Sequence, residues 1–243
     1  MIDLSADGHV HSAFASGRDS VSVLVASAER AGLTELTFAD QVGPDTSWLG
    51  SYLSSIRRAQ HRTDLVLRRG VEVEAIGIDG WLAFPSDLSG LEVISVGLSR
   101  LPLPAGLLSA EAVRAQLDAG TIRALDVIDQ LVTVTALAVE RVSRYAPTRL
   151  ARPLDFLERA GIGEMVVPDT AIRELVDACR ANGTVVEVSE RHRMPSLRLA
   201  RAFLAGGVKL VAVSDARRST EVGYYRHVRE LAAAVHETPA RAA

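Results

Sequence analysis

Short apolar runs alternate with helix-length amphipathic segments along most of this 243-residue chain, and that alternation restricts its fold more than any other feature. Runs at 33–39, 65–75, 93–98, 185–188 and 210–213 have the length and β-branched content of buried strands. An earlier run, residues 1–4, leads into Asp7-Gly8-His9-Val10-His11-Ser12. The segment 20–31 carries Val21, Leu24, Val25 and Ala28 on one helical face and stops at Gly32. A second amphipathic helix is expected over 197–205, ended by Gly206-Gly207. Residues 109–140 are mostly helix-forming, although 131–135 (LVTVT) could also form a strand. Strands alternating with helices of this length predict an α/β fold with a parallel sheet. With 48% hydrophobic residues the chain can bury one core. A single domain is expected over 1–237, with 238–243 as a frayed tail.

Composition removes several function classes. A net charge of −3 gives no general attraction to nucleic acid or anionic membrane. The lone Cys179 excludes an internal disulfide and sits in a helical pattern as a small core residue. No basic start precedes an apolar segment, and no apolar run reaches about 18 residues. A cytoplasmic protein is therefore expected. No GxGxxG follows the first strand, which disfavours a Rossmann nucleotide site.

Parallel barrels collect their functional groups at the C-terminal ends of the strands. Here those ends read His9 and His11, Asp40-Gln41, Glu72 and Glu74, Ser99-Arg100, 189–193 (SERHR), and Ser214-Asp215-Ala216-Arg217. Side chains at i and i+2 on a strand point the same way, so His9 and His11 can present two imidazoles to one point. Two histidines, a glutamate and an aspartate from separate strand ends make a donor set for a divalent metal ion.

With these motifs the chain resembles the PHP (polymerase and histidinol phosphatase) family, whose members are distorted TIM-like (β/α)7 barrels with metal-dependent phosphoesterase activity. Asp7-Gly8-His9-Val10-His11-Ser12 matches the family's opening DxHxH motif. Phe38-Ala39-Asp40-Gln41 stands where the family has Thr-Asp-His, and Gly70-Val71-Glu72 matches its glycine-x-glutamate step. Val96-Gly97-Leu98-Ser99, Arg152-Pro153 and Ser214-Asp215-Ala216-Arg217 stand where three further motifs each carry a histidine. Four family histidines are thus replaced, by Gln41, Ser99, Arg152 and Arg217, and no histidine falls within 14–17. The family's first metal site is retained as His9, His11, Glu72 and Asp215. The resemblance therefore implies one divalent ion (Zn, Mn or Fe) in place of a trinuclear centre.

Two replacements are arginines, fixed cations with a planar donor fork. Arg152 and Arg217 are expected either to hold an anionic substrate directly or to pair with orphaned carboxylates such as Asp40, Glu74 or Glu190. Arg100, Arg191, Arg193 and Arg218 lie near the same rim in sequence, and Gln41 and Ser99 complete the candidate substrate contacts. His192 is the candidate proton carrier, set against a plain solvated loop histidine. Asp7 is expected to orient a ligand histidine. His61, His227 and His236 read as surface residues. Trp48 and Trp81 read as packed rings, with a lid as the alternative, and Tyr224 or Tyr225 could reach the site. Three functions remain open: a one-metal hydrolase of a small anionic substrate such as a phosphate ester, a rebuilt lyase, isomerase or cyclase, and an inactive scaffold.

Overall fold

A computed structural model of the chain describes residues 2–235 and 237. The expected tail at 238–243 and the surface assignment of His236 lie outside the described residues. Seven strands run parallel in one sheet: β1 (Ala6–Val10), β2 (Glu35–Gln41), β3 (Val66–Glu74), β4 (Val93–Gly97), β7 (Thr148–Leu150), β8 (Val185–Ser189) and β9 (Leu210–Val213), in that spatial order. The ring is drawn shut at its mouth. The Asp215 amide donates to the His9 carbonyl (3.0 Å) and the His11 amide to the Ala216 carbonyl (2.9 Å). A separate hairpin, β5 (Arg100–Leu103) and β6 (Gly106–Ser109), stands beyond β4. The helices are α1 (Val21–Arg30), α2 (Leu49–Gln60), α3 (Ala110–Asp118), α4 (Ala124–Val142), α5 (Asp155–Arg159), α6 (Asp169–Ala181), α7 (Leu197–Ala205) and α8 (His227–Ala234).

Strand alternation sorts the side chains. Val71 and Val73 of β3, and Val186 and Val188 of β8, pack outward into the apolar layers under the helices. Glu72 and Glu187, between those valines, face the barrel axis, where their carboxylates flank the two ring nitrogens of His9. Two apolar layers result: one lies under α1 and α2 against β1–β4, the other under α3 and α5–α8 against β7–β9. Helix α4 seals both. Its Val134, Ala138 and Val142 join the first layer, and Val127, Ile128, Leu131 and Val139 the second. That double packing decides the ambiguous stretch 131–135, which is helix. Ser196 caps α7, its Oγ accepting from the Leu199 amide at 3.2 Å. Cys179 is fully buried, and burial pushes its thiol up to about 12. No helix among the described residues is long and apolar enough to cross a membrane.

Candidate metal centre at the barrel mouth

Strand β1 steps three residues, Asp7 to Val10, while β2 steps two, Leu36 to Phe38. The extra residue is a bulge, and it re-aims the strand end. Gly8 faces the axis, where an added Cβ would lie 2.9 Å from Arg149 Nη1 and 3.0 Å from Val211 Cγ2. Beyond it both imidazoles converge, with ring centroids 4.8 Å apart. His9 Nε2 lies 3.3 Å from Glu72 Oε2. His11 Nε2 lies 3.9 Å from the same oxygen and 3.2 Å from Asp215 Oδ1. One donor atom each of His9, His11 and Glu72 falls within 4.8 Å of the others. All four side chains are buried.

The donor set fits a divalent ion. His9 Nε2, both ring nitrogens of His11 and Asp215 Oδ1 are buried without a hydrogen-bond partner. Such atoms are costly to bury unless something binds them. Nitrogen and carboxylate donors in this ratio suit zinc, manganese or iron.

Glu187 is the residue that sequence reasoning missed. Its carboxylate receives His9 Nδ1 at 2.9 and 3.1 Å and the Ser95 hydroxyl at 2.6 Å. A proton on Nδ1 satisfies Glu187 and turns Nε2 toward the centre, where a bound ion would take the place of a second proton. Burial alone would lower the His9 pKa, but Glu187, with Glu72 behind it, raises it well above the usual imidazole value. Asp7 does not orient a ring. It accepts from the backbone amides of Ser214 (2.9 Å), Gly223 (3.0 Å) and His9 (3.4 Å), tying β1 to the segment after β9. Arg149, also absent from the sequence reading, reaches across the barrel to the Gly8 carbonyl.

Arg152, just past β7, enters the centre itself. Its two Nη atoms donate one to each oxygen of Glu72, and Nη1 lies 3.6 Å from Asp215 Oδ2. Burial would raise the Glu72 carboxyl, but Arg152 and then His9 hold it far below the usual range. Asp215 is likewise held low against its burial, by His11 and His192. His11 is shifted down, chiefly by burial. Arg152 (φ 49), Leu154 (φ 66), Arg193 (φ 56) and Asp215 (φ 53) all adopt left-handed backbone around this mouth, a cluster of local strain.

His192 is no plain solvated loop residue. Its side chain is 26% exposed and lies between Asp215 Oδ2 (3.2 Å) and Asp155 Oδ1 (3.6 Å). Those two carboxylates outweigh burial and raise its pKa. Arg191 donates from Nε to the Asp215 carbonyl (2.8 Å) and from Nη2 to Glu221 (2.5 Å). Arg217 forms no ion pair among the described residues, and its buried Nε has no partner.

The remaining candidates scatter. Gln41 and Ser99 line one polar cleft of about 190 Å3 with Glu72, Glu74 and Gly97. Arg100 is spent on Glu74 (2.6 Å), beside the Ser99 hydroxyl. Arg193 lines a different cleft with Leu157, Met194 and Leu199. Arg218 is exposed. The carboxylates expected to need arginines find other donors in two of three cases. Asp40 takes the Ser12 amide and hydroxyl, Glu190 takes the Val228 amide, and Glu74 alone takes an arginine. Trp48 packs on Phe14 and Tyr52, while Trp81 is 53% exposed under Arg141. Tyr225 is buried and donates to the Ala6 carbonyl, Tyr224 is exposed, and neither enters the centre. His61 is exposed as expected, but His227 is half-buried, with Nε2 unpartnered.

No protein-family model matches the sequence, and no curated protein matches it at the level of sequence. Solved structures do. The histidinol phosphate phosphatase of Lactococcus lactis subsp. lactis Il1403, complexed with zinc, L-histidinol and phosphate, superposes with a TM-score of 0.63 at 14% identity, over 95% of this chain and 93% of its own. The hisK protein of Listeria monocytogenes gives 0.62 at 14% identity, over 90% of this chain and 97% of its own. At that identity the likeness speaks for the fold and not for the reaction. The chain therefore has the distorted, nearly closed seven-stranded barrel fold of the PHP type that these two structures share.

Proposed function

We propose that the protein is a metal-dependent hydrolase of a small anionic substrate, most simply a phosphate ester, with one divalent ion held by His9, His11, Glu72 and Asp215. The observation that carries this reading is the convergence of buried, unpartnered ring nitrogens with two carboxylates at the barrel mouth. When bound, such an ion polarises the scissile group and lowers the pKa of its water toward neutrality. The chain supplies the rest. Glu187 fixes the ring of His9. Arg152 offsets the negative charge of Glu72 and Asp215. His192 is partly exposed and lies between two carboxylates that favour its protonated form, the position of a general acid for the leaving oxygen. Arg217, free of ion pairs among the described residues, is the rim cation for the substrate anion.

The test is elemental analysis of protein purified without added metal, then turnover of phosphate monoesters and diesters with Zn²⁺, Mn²⁺ or Fe²⁺ supplied. One equivalent of metal, with turnover lost in His9→Ala, supports the hydrolase. Two or three equivalents would refute the four-ligand reading. Because one ion supplies less charge to a phosphoryl transition state than several, turnover of generic esters is expected to be weak. The second reading, a rebuilt non-hydrolytic enzyme on an anionic molecule, draws on the grip of Arg152 on Glu72. Metal bound without turnover of any ester favours it.

A further inference from the structure

We propose that Arg152 is a resident cation of this centre, competing with a divalent ion for Glu72, and that Gly97 is the position that admits it. The inference rests on the metal-site reading above. Both oxygens of Glu72 are taken by the two Nη atoms of one guanidinium, which also stands 3.6 Å from Asp215 Oδ2. Two of the four candidate ligands thus already share a positive charge. The pair is buried, its side chains 9% and 5% exposed, and a guanidinium cannot shed its charge by losing a proton.

Room for it comes from β4. A Cβ added at Gly97 would stand 2.7 Å from Arg152 Nη2 and 3.0 Å from Glu72 Oε1. The backbone of Gly97 is not left-handed, so space, and no conformational demand, calls for glycine there. Two consequences follow. Glu72 already has a cationic partner without a metal, so its burial does not depend on one. An incoming ion must share Glu72 with a fixed cation, which lowers its affinity and closes that side of the centre to a second ion.

The experiment titrates Zn²⁺ and Mn²⁺, by calorimetry with chelator competition, into the full chain as wild type, Arg152→Gln and Gly97→Ala. Affinity is expected to rise about tenfold or more in both variants, since a like charge a few ångströms from the ligands is removed or displaced. Arg152→Gln should also lose thermal stability in chelator and regain it with metal, because Glu72 is left buried and unpaired. If Arg152→Gln does not fold in chelator, Gly97→Ala decides, since it leaves every charge in place. Unchanged or weaker affinity in folded Gly97→Ala overturns the proposal. Metal bound tightly by wild type but weakly by both variants keeps the hydrolase reading and refutes this one. Metal bound by the variants and not by wild type does the reverse. No binding by any of the three refutes both.

Discussion

The two halves of the barrel mouth handle charge in opposite ways. On the β1 and β9 side, His9, His11 and Asp215 are buried and keep polar atoms without partners. On the β2 and β4 side, Gln41, Ser99 and Arg100 are exposed, and Glu74 spends both oxygens on Ser99 and Arg100. The first half holds binding capacity in reserve at a cost in stability. The second half is self-satisfied. Glu72 sits on the seam, lining the polar cleft on one side and facing His9 on the other. Arg152 closes that seam from β7.

The comparison breaks most directly at His9. Replacing it with alanine removes a ring that touches both Glu72 and Glu187. Metal affinity should fall by more than the roughly 100-fold upper range seen when only a ligand's outer partner is lost. Calorimetric titration of the variant measures it. Near-wild-type affinity would mean that the unpartnered atoms of this half are not ligands.

Asp40 tests the other half, since it is the one fully buried carboxylate at the end of β2. Burial pushes it up to about 6, against the two hydrogen bonds from Ser12. A folded value above the unfolded 3.8 means the native state holds the extra proton. Its contribution is therefore fully present below about pH 4 and is lost as pH rises through about 6, by up to about 3 kcal/mol. Urea unfolding from pH 4 to 7 should show that decline, and Asp40→Asn should flatten it. An unaltered pH profile in the variant would show that Asp40 is ionised as readily as an exposed carboxylate.

Glu187→Gln sharpens the first half further. The amide can still meet His9, but without the charge that raises the basicity of the ring. A drop in metal affinity of about 10–100-fold is expected, with the fold retained. A loss confined to stability would make Glu187 a core residue and nothing more.

Much of this was legible in the sequence, for reasons that also explain the misses. The expected strands at 185–188 and 210–213 match β8 and β9 to within a residue, because both are short, valine-rich apolar runs whose outward residues (Val186 and Val188, Leu210 and Ala212) join the core. Strand β7 went unread. It is three residues long, and its middle residue, Arg149, points into the barrel. The β5–β6 hairpin also went unread, since its strands are four residues each and only partly buried. At the site, His9, His11, Glu72 and Asp215 were readable because they end strands or follow a glycine step. Glu187 sits inside a strand, and strand-end reasoning passes over it. Its signal was a charge between Val186 and Val188, an inward position by alternation. The destination of Arg152 was not readable, because pairing with Glu72 depends on the empty space above Gly97, a property of packing across two strands.

The smallest expected effect falls on the self-satisfied half. Arg100 is nearly half exposed, and its ion pair with Glu74 is screened by solvent. Exposed pairs are worth between zero and about 1 kcal/mol, so Arg100→Ala should leave stability nearly unchanged. Metal affinity should not move either, because Arg100 bonds Glu74 and not Glu72. Substrate affinity is the informative readout. The free Glu74 carboxylate would then face the cleft shared with Gln41, Ser99 and Glu72 and repel an anion placed there. An anion whose affinity is the same in wild type and Arg100→Ala binds elsewhere on the rim, with Arg217. One whose affinity falls severalfold enters by this cleft, and the quiet half of the mouth is then the substrate's half.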